Sequence, residues 1–179
     1  MEENKPYIGI IGPNENNCTR EIYQFGVKLG KLLSEREINV VTGGKLGIME
    51  AVLKGVKNGT SENKPITIGI IQDEAKSKGN AYCDIIIPTG MGTARNKVLV
   101  NTSDIIIAIA GGAGTLSEIA FAWQMNKPII AYTGFDGWAK QLAGTKIDHL
   151  SKYPLYSAES ISEIMELLDS LIEKIPETK

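Results

Sequence analysis

The chain has 179 residues, 42% hydrophobic and 22% charged, the balance of a globular chain able to close one sizeable core and not of a disordered one. Lys and Arg total 19 against 21 Asp and Glu, a net charge of −2 with no basic block, so nucleic acid is not an expected partner. The single histidine, His149, excludes a His-rich zinc site and disfavours a Ser-His-Asp triad, and no metal site is expected.

The opening Met1-Glu2-Glu3-Asn4-Lys5 lacks the basic-then-apolar order of a secretory signal. Tyr7 to Ile11 is the first short apolar run and predicts a strand. Thr19 to Arg36 follows, with Ile22, Phe25, Gly26, Leu29, Leu32 and Leu33 on one helical stripe. Ile38 to Val41 predicts a strand, Gly47 to Lys57 a helix, and Ile66 to Ile71 and Asp84 to Ile87 two more strands. Ala94 to Thr102 predicts a helix, Ile105 to Ala110 a strand and Thr115 to Met125 a helix. Asn126-Lys127-Pro128 reads as a helix stop running straight into a strand at Pro128 to Tyr132. Gly134 to Tyr156 has weak periodicity and yields no element. Ile161 to Lys174 predicts the last helix, and Pro176 to Lys179 are expected to fray.

Most of the strand runs are apolar on both faces, as in a parallel sheet covered by helices on each side. Strand and helix alternate almost throughout. The expected fold is α/β, one domain over residues 1–179 built on a single doubly wound, mostly parallel sheet with helices on both faces. No apolar run approaches the roughly 18 residues of a membrane span. Cys18 and Cys83 form no CxxC pair and read as reduced thiols, so a cytoplasmic protein without a membrane partner is expected.

In such sheets ligands bind beyond the carboxyl ends of the strands, and the sequence puts its glycines there. The first strand runs into Gly12-Pro13-Asn14, the second into Thr42-Gly43-Gly44, and the Ile105 strand into Gly111-Gly112-Ala113-Gly114-Thr115. Glycine lets backbone N–H groups approach a ligand, and a following helix adds unpaired donors and its positive dipole end. A phosphate site follows, against the alternative that these are only tight turns. No GxxxxGK[ST] occurs, and the first turn lacks GxGxxG, which disfavours a P-loop and a dinucleotide dehydrogenase. Asn14 is a candidate for ribose or base, and Lys45 for phosphate. Phe135 and Trp138 are candidates either for stacking on a ring or for packing.

Gly111-Gly112-Ala113-Gly114-Thr115-Leu116-Ser117-Glu118 resembles the PGGxGTxxE motif of the LONELY GUY phosphoribohydrolases, often mislabelled lysine decarboxylases. Val41-Thr42-Gly43-Gly44 with Gly47-Ile48-Met49 is similar to that family's glycine-rich loop and helix start, and Arg95 stands where the family has its catalytic arginine. The resemblance runs in order from Tyr7 to Tyr132. It departs at Ala110, where the motif has proline, and at Asn96, where a lysine usually follows the arginine. Gly90 to Asn96 and the Gly111 loop are closer to a sister branch of Rossmann-like proteins that includes molybdenum cofactor carriers and members related to the DNA-processing protein DprA.

The resemblance implies binding of a nucleoside 5′-monophosphate and hydrolysis of its N-glycosidic bond to free base and ribose 5-phosphate, with no cofactor required. The alternative it implies is a non-catalytic carrier or sensor of a phosphorylated cofactor such as molybdenum cofactor. The amides of Gly112, Gly114 and Thr115 would hold phosphate, with Gly12, Asn14, Gly43, Gly44 and Gly111 in the same binding set. Glu118 would meet the positive charge that grows on the sugar ring, and Arg95 would orient the substrate. Two other readings stay open: Thr115-x-x-Glu118 is also the pattern of a helix capping box, and Arg95 of a surface ion pair. A homo-oligomer, dimer or tetramer, is implied as well.

Overall fold

Blocks of Ile and Val become strands because branched side chains pack well on a pleated surface and lose χ1 freedom in a helix. In the computed structural model, which describes residues 5–175, these blocks form β1 (Tyr7–Ile11), β2 (Asn39–Thr42), β3 (Thr67–Ile71), β4 (Ile85–Pro88), β5 (Ile105–Ile109) and β6 (Ile129–Tyr132). Between and after them lie α1 (Arg20–Glu35), α2 (Ile48–Lys57), α3 (Arg95–Thr102), α4 (Ala113–Gln124), α5 (Trp138–Leu142) and α6 (Ile161–Ile172), with a seventh strand, β7 (Leu155–Ala158), before α6. The fraying expected for Pro176 to Lys179 lies outside the described residues.

All seven strands join one sheet in the order β4-β3-β2-β1-β5-β6-β7, and every pairing is parallel. The sheet is thus wholly parallel where the sequence predicted mostly parallel. Side chains alternate along each strand, so both faces need cover. Ile105, Ile107 and Ile109 pack with apolar residues of α1, α2 and α6. Ile106 and Ala108 pack on the other face with Leu99 of α3, Ile119 and Trp123 of α4 and Ala139 of α5. On the first face α1 and α2 touch backbone to backbone. A Cβ on Gly30 would lie 2.1 Å from Val52 O, and one on Gly55 2.2 Å from Val27 O, so no larger residue fits that crossing.

The chain winds outward from β1 toward β4, then returns to start again at β5 beside β1. The carboxyl ends of β1 and β5 therefore flank the point where strand order reverses, and the loops there diverge to opposite faces. This opens a crevice. Two elements went unseen in the sequence: α5, inside the weakly periodic Gly134 to Tyr156, and β7, which begins at its end. With five and four residues, each is shorter than a readable period. Among the described residues, no helix is long and apolar enough to cross a membrane.

Candidate functional site

The crevice between β1 and β5 is a cleft of about 320 Å³, at the small end of ligand cavities. The β1 loop supplies Gly12, Pro13 and Asn14, and the first turn of α4 supplies Gly112, Gly114 and Thr115. Arg95 of α3 and Glu118 of α4 also line it. The loops are locked from behind. Gly47, at φ +82, presses on the β1 loop, where a Cβ would meet Asn14 C and Pro13 O at 2.6 Å, and Ile48 N–H donates to Pro13 O at 3.2 Å.

The α4 turn is built so that its amides stay unspent. Gly112 is the N-cap, its conformation is extended, and no side chain caps the helix. The N–H groups of Ala113 and Gly114 take no intramolecular partner among the described residues. The carbonyls just before this turn are held instead, by a segment the sequence did not assign. Trp138 N–H donates to Gly111 O and Ala139 N–H to Ala110 O, both at 3.0 Å, so the start of α5 anchors the β5–α4 loop. Ala110 sits at φ +49, which a proline ring fixed near −65° cannot adopt. The departure from the motif's proline therefore accompanies a left-handed turn.

Arg95 and Glu118 meet across the floor. Arg95 Nη1 lies 3.3 Å from Glu118 Oε1, and the two residues are 8% and 7% exposed. This disposes of the surface ion pair read for Arg95. The capping box is overturned too. α4 starts at Ala113, not at the expected Thr115, so Thr115 is its third residue and Glu118 bonds Arg95 instead of folding back. Burial pushes the Glu118 carboxyl up from its ordinary 4.5 to about 7, against the pull of Arg95. Burial likewise draws the Arg95 guanidinium below its ordinary value. Arg95 Nε is buried, with no hydrogen-bond partner among the described residues.

Asn96 joins the two helices that carry this pair. Its Nδ2 donates to Ser117 Oγ at 2.8 Å, and Ser117 Oγ donates to Gly114 O at 2.7 Å. The residue standing in place of the family's lysine is thus a neutral clamp between α3 and the first turn of α4. Asn17, Gln72 and Thr93 complete the rim as uncharged polar groups, and Met49 also lines the cleft. Met49 and Thr93 lay inside the motifs without a role, and no motif marked Asn17 or Gln72, because the loops that bring them together are distant in sequence.

Other expected residues fall elsewhere. Gly44 and Gly111 do not line the cleft. The Gly44 N–H donates to Thr42 Oγ1 at 3.0 Å, and Gly111 leaves room for the Thr115 side chain. Lys45 pairs with Asp73, and that ion pair holds the Asp73 carboxyl below its ordinary range. Phe135 packs edge-on with Phe25 and Tyr132, at 5.4 and 5.3 Å between ring centroids, away from this cleft. His149 is exposed, and Cys18 and Cys83 are free thiols.

A wholly parallel, doubly wound sheet with its crevice at the switch point is the architecture of the Rossmann-like ligand-binding proteins. The chain belongs to the SLOG cluster4 family, which matches residues 5–165. It is 38% identical over 122 residues to an uncharacterized protein of Archaeoglobus fulgidus, covering 68% of this chain and 76% of that one. Over 110 residues it is 33% identical to a probable cytokinin riboside 5′-monophosphate phosphoribohydrolase of Oryza sativa, covering 58% of this chain but 46% of the rice protein. Among solved structures, the molybdenum cofactor binding protein of Rippkaea orientalis superposes with a TM-score of 0.80 at 34% identity, over 94% of this chain and 98% of the other. The molybdenum cofactor carrier protein of Chlamydomonas reinhardtii gives 0.79 at 27% identity, over 94% and 99%. DNA processing protein A of Helicobacter pylori, at 16% identity and a TM-score of 0.60, shares the fold alone. The resemblance read from the glycine motifs is borne out at the level of family and fold.

Proposed function

We propose that the cleft binds a nucleoside 5′-monophosphate through its phosphate and hydrolyses the N-glycosidic bond. The observation that carries this reading is the meeting of Arg95 and Glu118 beside the unspent amides of α4, in one cleft. The phosphate lies at the Gly112 to Thr115 turn, where N–H donors and the helix dipole both favour an anion. The Arg95 guanidinium adds a positive charge to the same cleft. Glu118 faces the anomeric carbon. Its carboxylate takes a proton from the attacking water as the water oxygen bonds to C1′. The C1′–N bond breaks, and its electron pair leaves with the base, which is protonated from solvent. A carboxyl poised near 7 accepts that proton more readily than an ordinary one. A homo-oligomer is part of the same proposal.

A second reading is a carrier that holds a phosphorylated cofactor without turning it over. It is favoured by near-complete coverage of the two cofactor-binding structures, against 58% coverage in the match to the rice enzyme. The amides of the α4 turn would hold the phosphate of a molybdenum cofactor, and the polar side chains of the rim its heterocycle. Incubation with AMP and related monophosphates, followed by chromatography for free base, separates the two. Base release that Glu118→Gln abolishes supports the hydrolase. Tight binding without release supports the carrier, and monophosphates that neither bind nor react sink the nucleotide proposal.

A further inference from the structure

Gly43 and Gly44 stand side by side after β2, yet they are glycines for different reasons. Gly44 has φ +65, and a Cβ there would strike Ile71 Cγ2 at 2.6 Å and Gly69 Cα at 2.9 Å. It serves the backbone and the sheet. Gly43 is not in the left-handed region, so its conformation does not call for glycine. The three atoms a Cβ at 43 would meet first all belong to the Arg95 guanidinium: Nη2 at 2.4 Å, Nη1 at 2.7 Å and Cζ at 2.8 Å.

We infer that Gly43 is a positioning residue, whose missing side chain is the seat of the Arg95 guanidinium and which, through Arg95, sets where Glu118 is held. The inference shares its cleft with the function proposed above and deepens that reading. Little else holds the guanidinium. Among the described residues its one ion pair is the 3.3 Å contact to Glu118, and Nε has no hydrogen-bond partner. A methyl group at position 43 needs the guanidinium to retreat by about 1 Å to reach ordinary contact. Nη1, the atom that meets Glu118, must move with it. The charged groups around the pair are few. Asp73, in the loop after β3, acts on Arg95 and is itself paired to Lys45 from the β2–α2 loop. Arg95 is the charge that acts on Glu118, and it lowers the carboxyl's pKa against burial.

The test is a double-mutant cycle of wild type, Gly43→Ala, Arg95→Ala and Gly43→Ala/Arg95→Ala, with Arg95→Gln as a second truncation should Arg95→Ala fold poorly. Thermal unfolding and carboxyl ¹³C titration of Glu118 are read without ligand. Gly43→Ala is expected to lower the thermal midpoint by several degrees in the wild-type background and to leave it unchanged where Arg95 is truncated. The Glu118 titration midpoint is expected to move by about half a pH unit or more in Gly43→Ala, and not to move further when Gly43→Ala is added to an Arg95 variant. Equal losses in both backgrounds, or a Glu118 midpoint unmoved by Gly43→Ala, would overturn the inference. Because neither readout uses a nucleotide, silence in the base-release assay leaves this result standing, and its failure leaves that assay untouched.

Discussion

Glu118 is a carboxyl kept in the protein against its own hydration. Its raised pKa gives folding stability a direction with pH. Below about 4.5 both the folded and unfolded chains hold the proton. Between about 4.5 and 7 only the folded chain does, so stability falls as pH rises through that window and levels off above it. The loss is of the order of 3 kcal/mol. Glu118→Gln has no proton to release, and its urea-unfolding free energy is expected to lack that component of the decline between pH 5 and 8. A mutant whose decline matches wild type would show that the carboxyl is not the titrating group. Ala110 offers a second test. Its left-handed φ is strained for alanine and free for glycine, so Ala110→Gly is expected to stabilise by up to about 1 kcal/mol. Ala110→Pro is expected to cost about 3 kcal/mol or more, measured in the same denaturation series.

At the scale of elements, the first turn of α4 separates fold from function. A Cβ added at Gly114 meets nothing within 4 Å, so the protein itself does not demand glycine there. Alanine is the better helix former, and Gly114→Ala is expected to leave stability unchanged or raise it by up to about 1 kcal/mol. The same methyl group projects where a phosphate must approach the amides, so nucleotide affinity measured by calorimetry is expected to fall. Affinity preserved in Gly114→Ala would move the anion away from this turn. The α1–α2 crossing behaves oppositely. Gly55→Ala places a methyl 2.2 Å from a backbone oxygen, and the helices must part, with an expected cost of about 1–3 kcal/mol in thermal unfolding.

Over the whole molecule, burial falls from the middle of the sheet to its β4 edge. Ile107 on β5 is fully buried, while Ile85 and Ile87 on β4 are 44% and 40% exposed. Ile107→Ala is expected to cost about 2–5 kcal/mol by the loss of buried surface and the cavity left behind, and Ile85→Ala under about 1 kcal/mol. Comparable losses at the two positions, in urea unfolding of the purified protein, would mean that β4 is covered in solution. That outcome bears directly on the homo-oligomer proposed above.

The alternating pattern of Ile-rich runs and helical stripes was enough to read a doubly wound α/β sheet and to place glycines at the strand ends, because the period and length of such segments are local properties of the chain. The family motif around Gly111 and Glu118 was legible for the same reason. The partnership of Arg95 with Glu118 was not, nor was the seat that Gly43 makes for the guanidinium. Nothing local told whether Glu118 would cap its helix or leave it free, since that turned on a helix start two residues earlier, set by α5 gripping the loop before it. Those outcomes rest on contacts between residues far apart in the chain, and on burial, which shifts a carboxyl's proton affinity only once the whole sheet has closed around it.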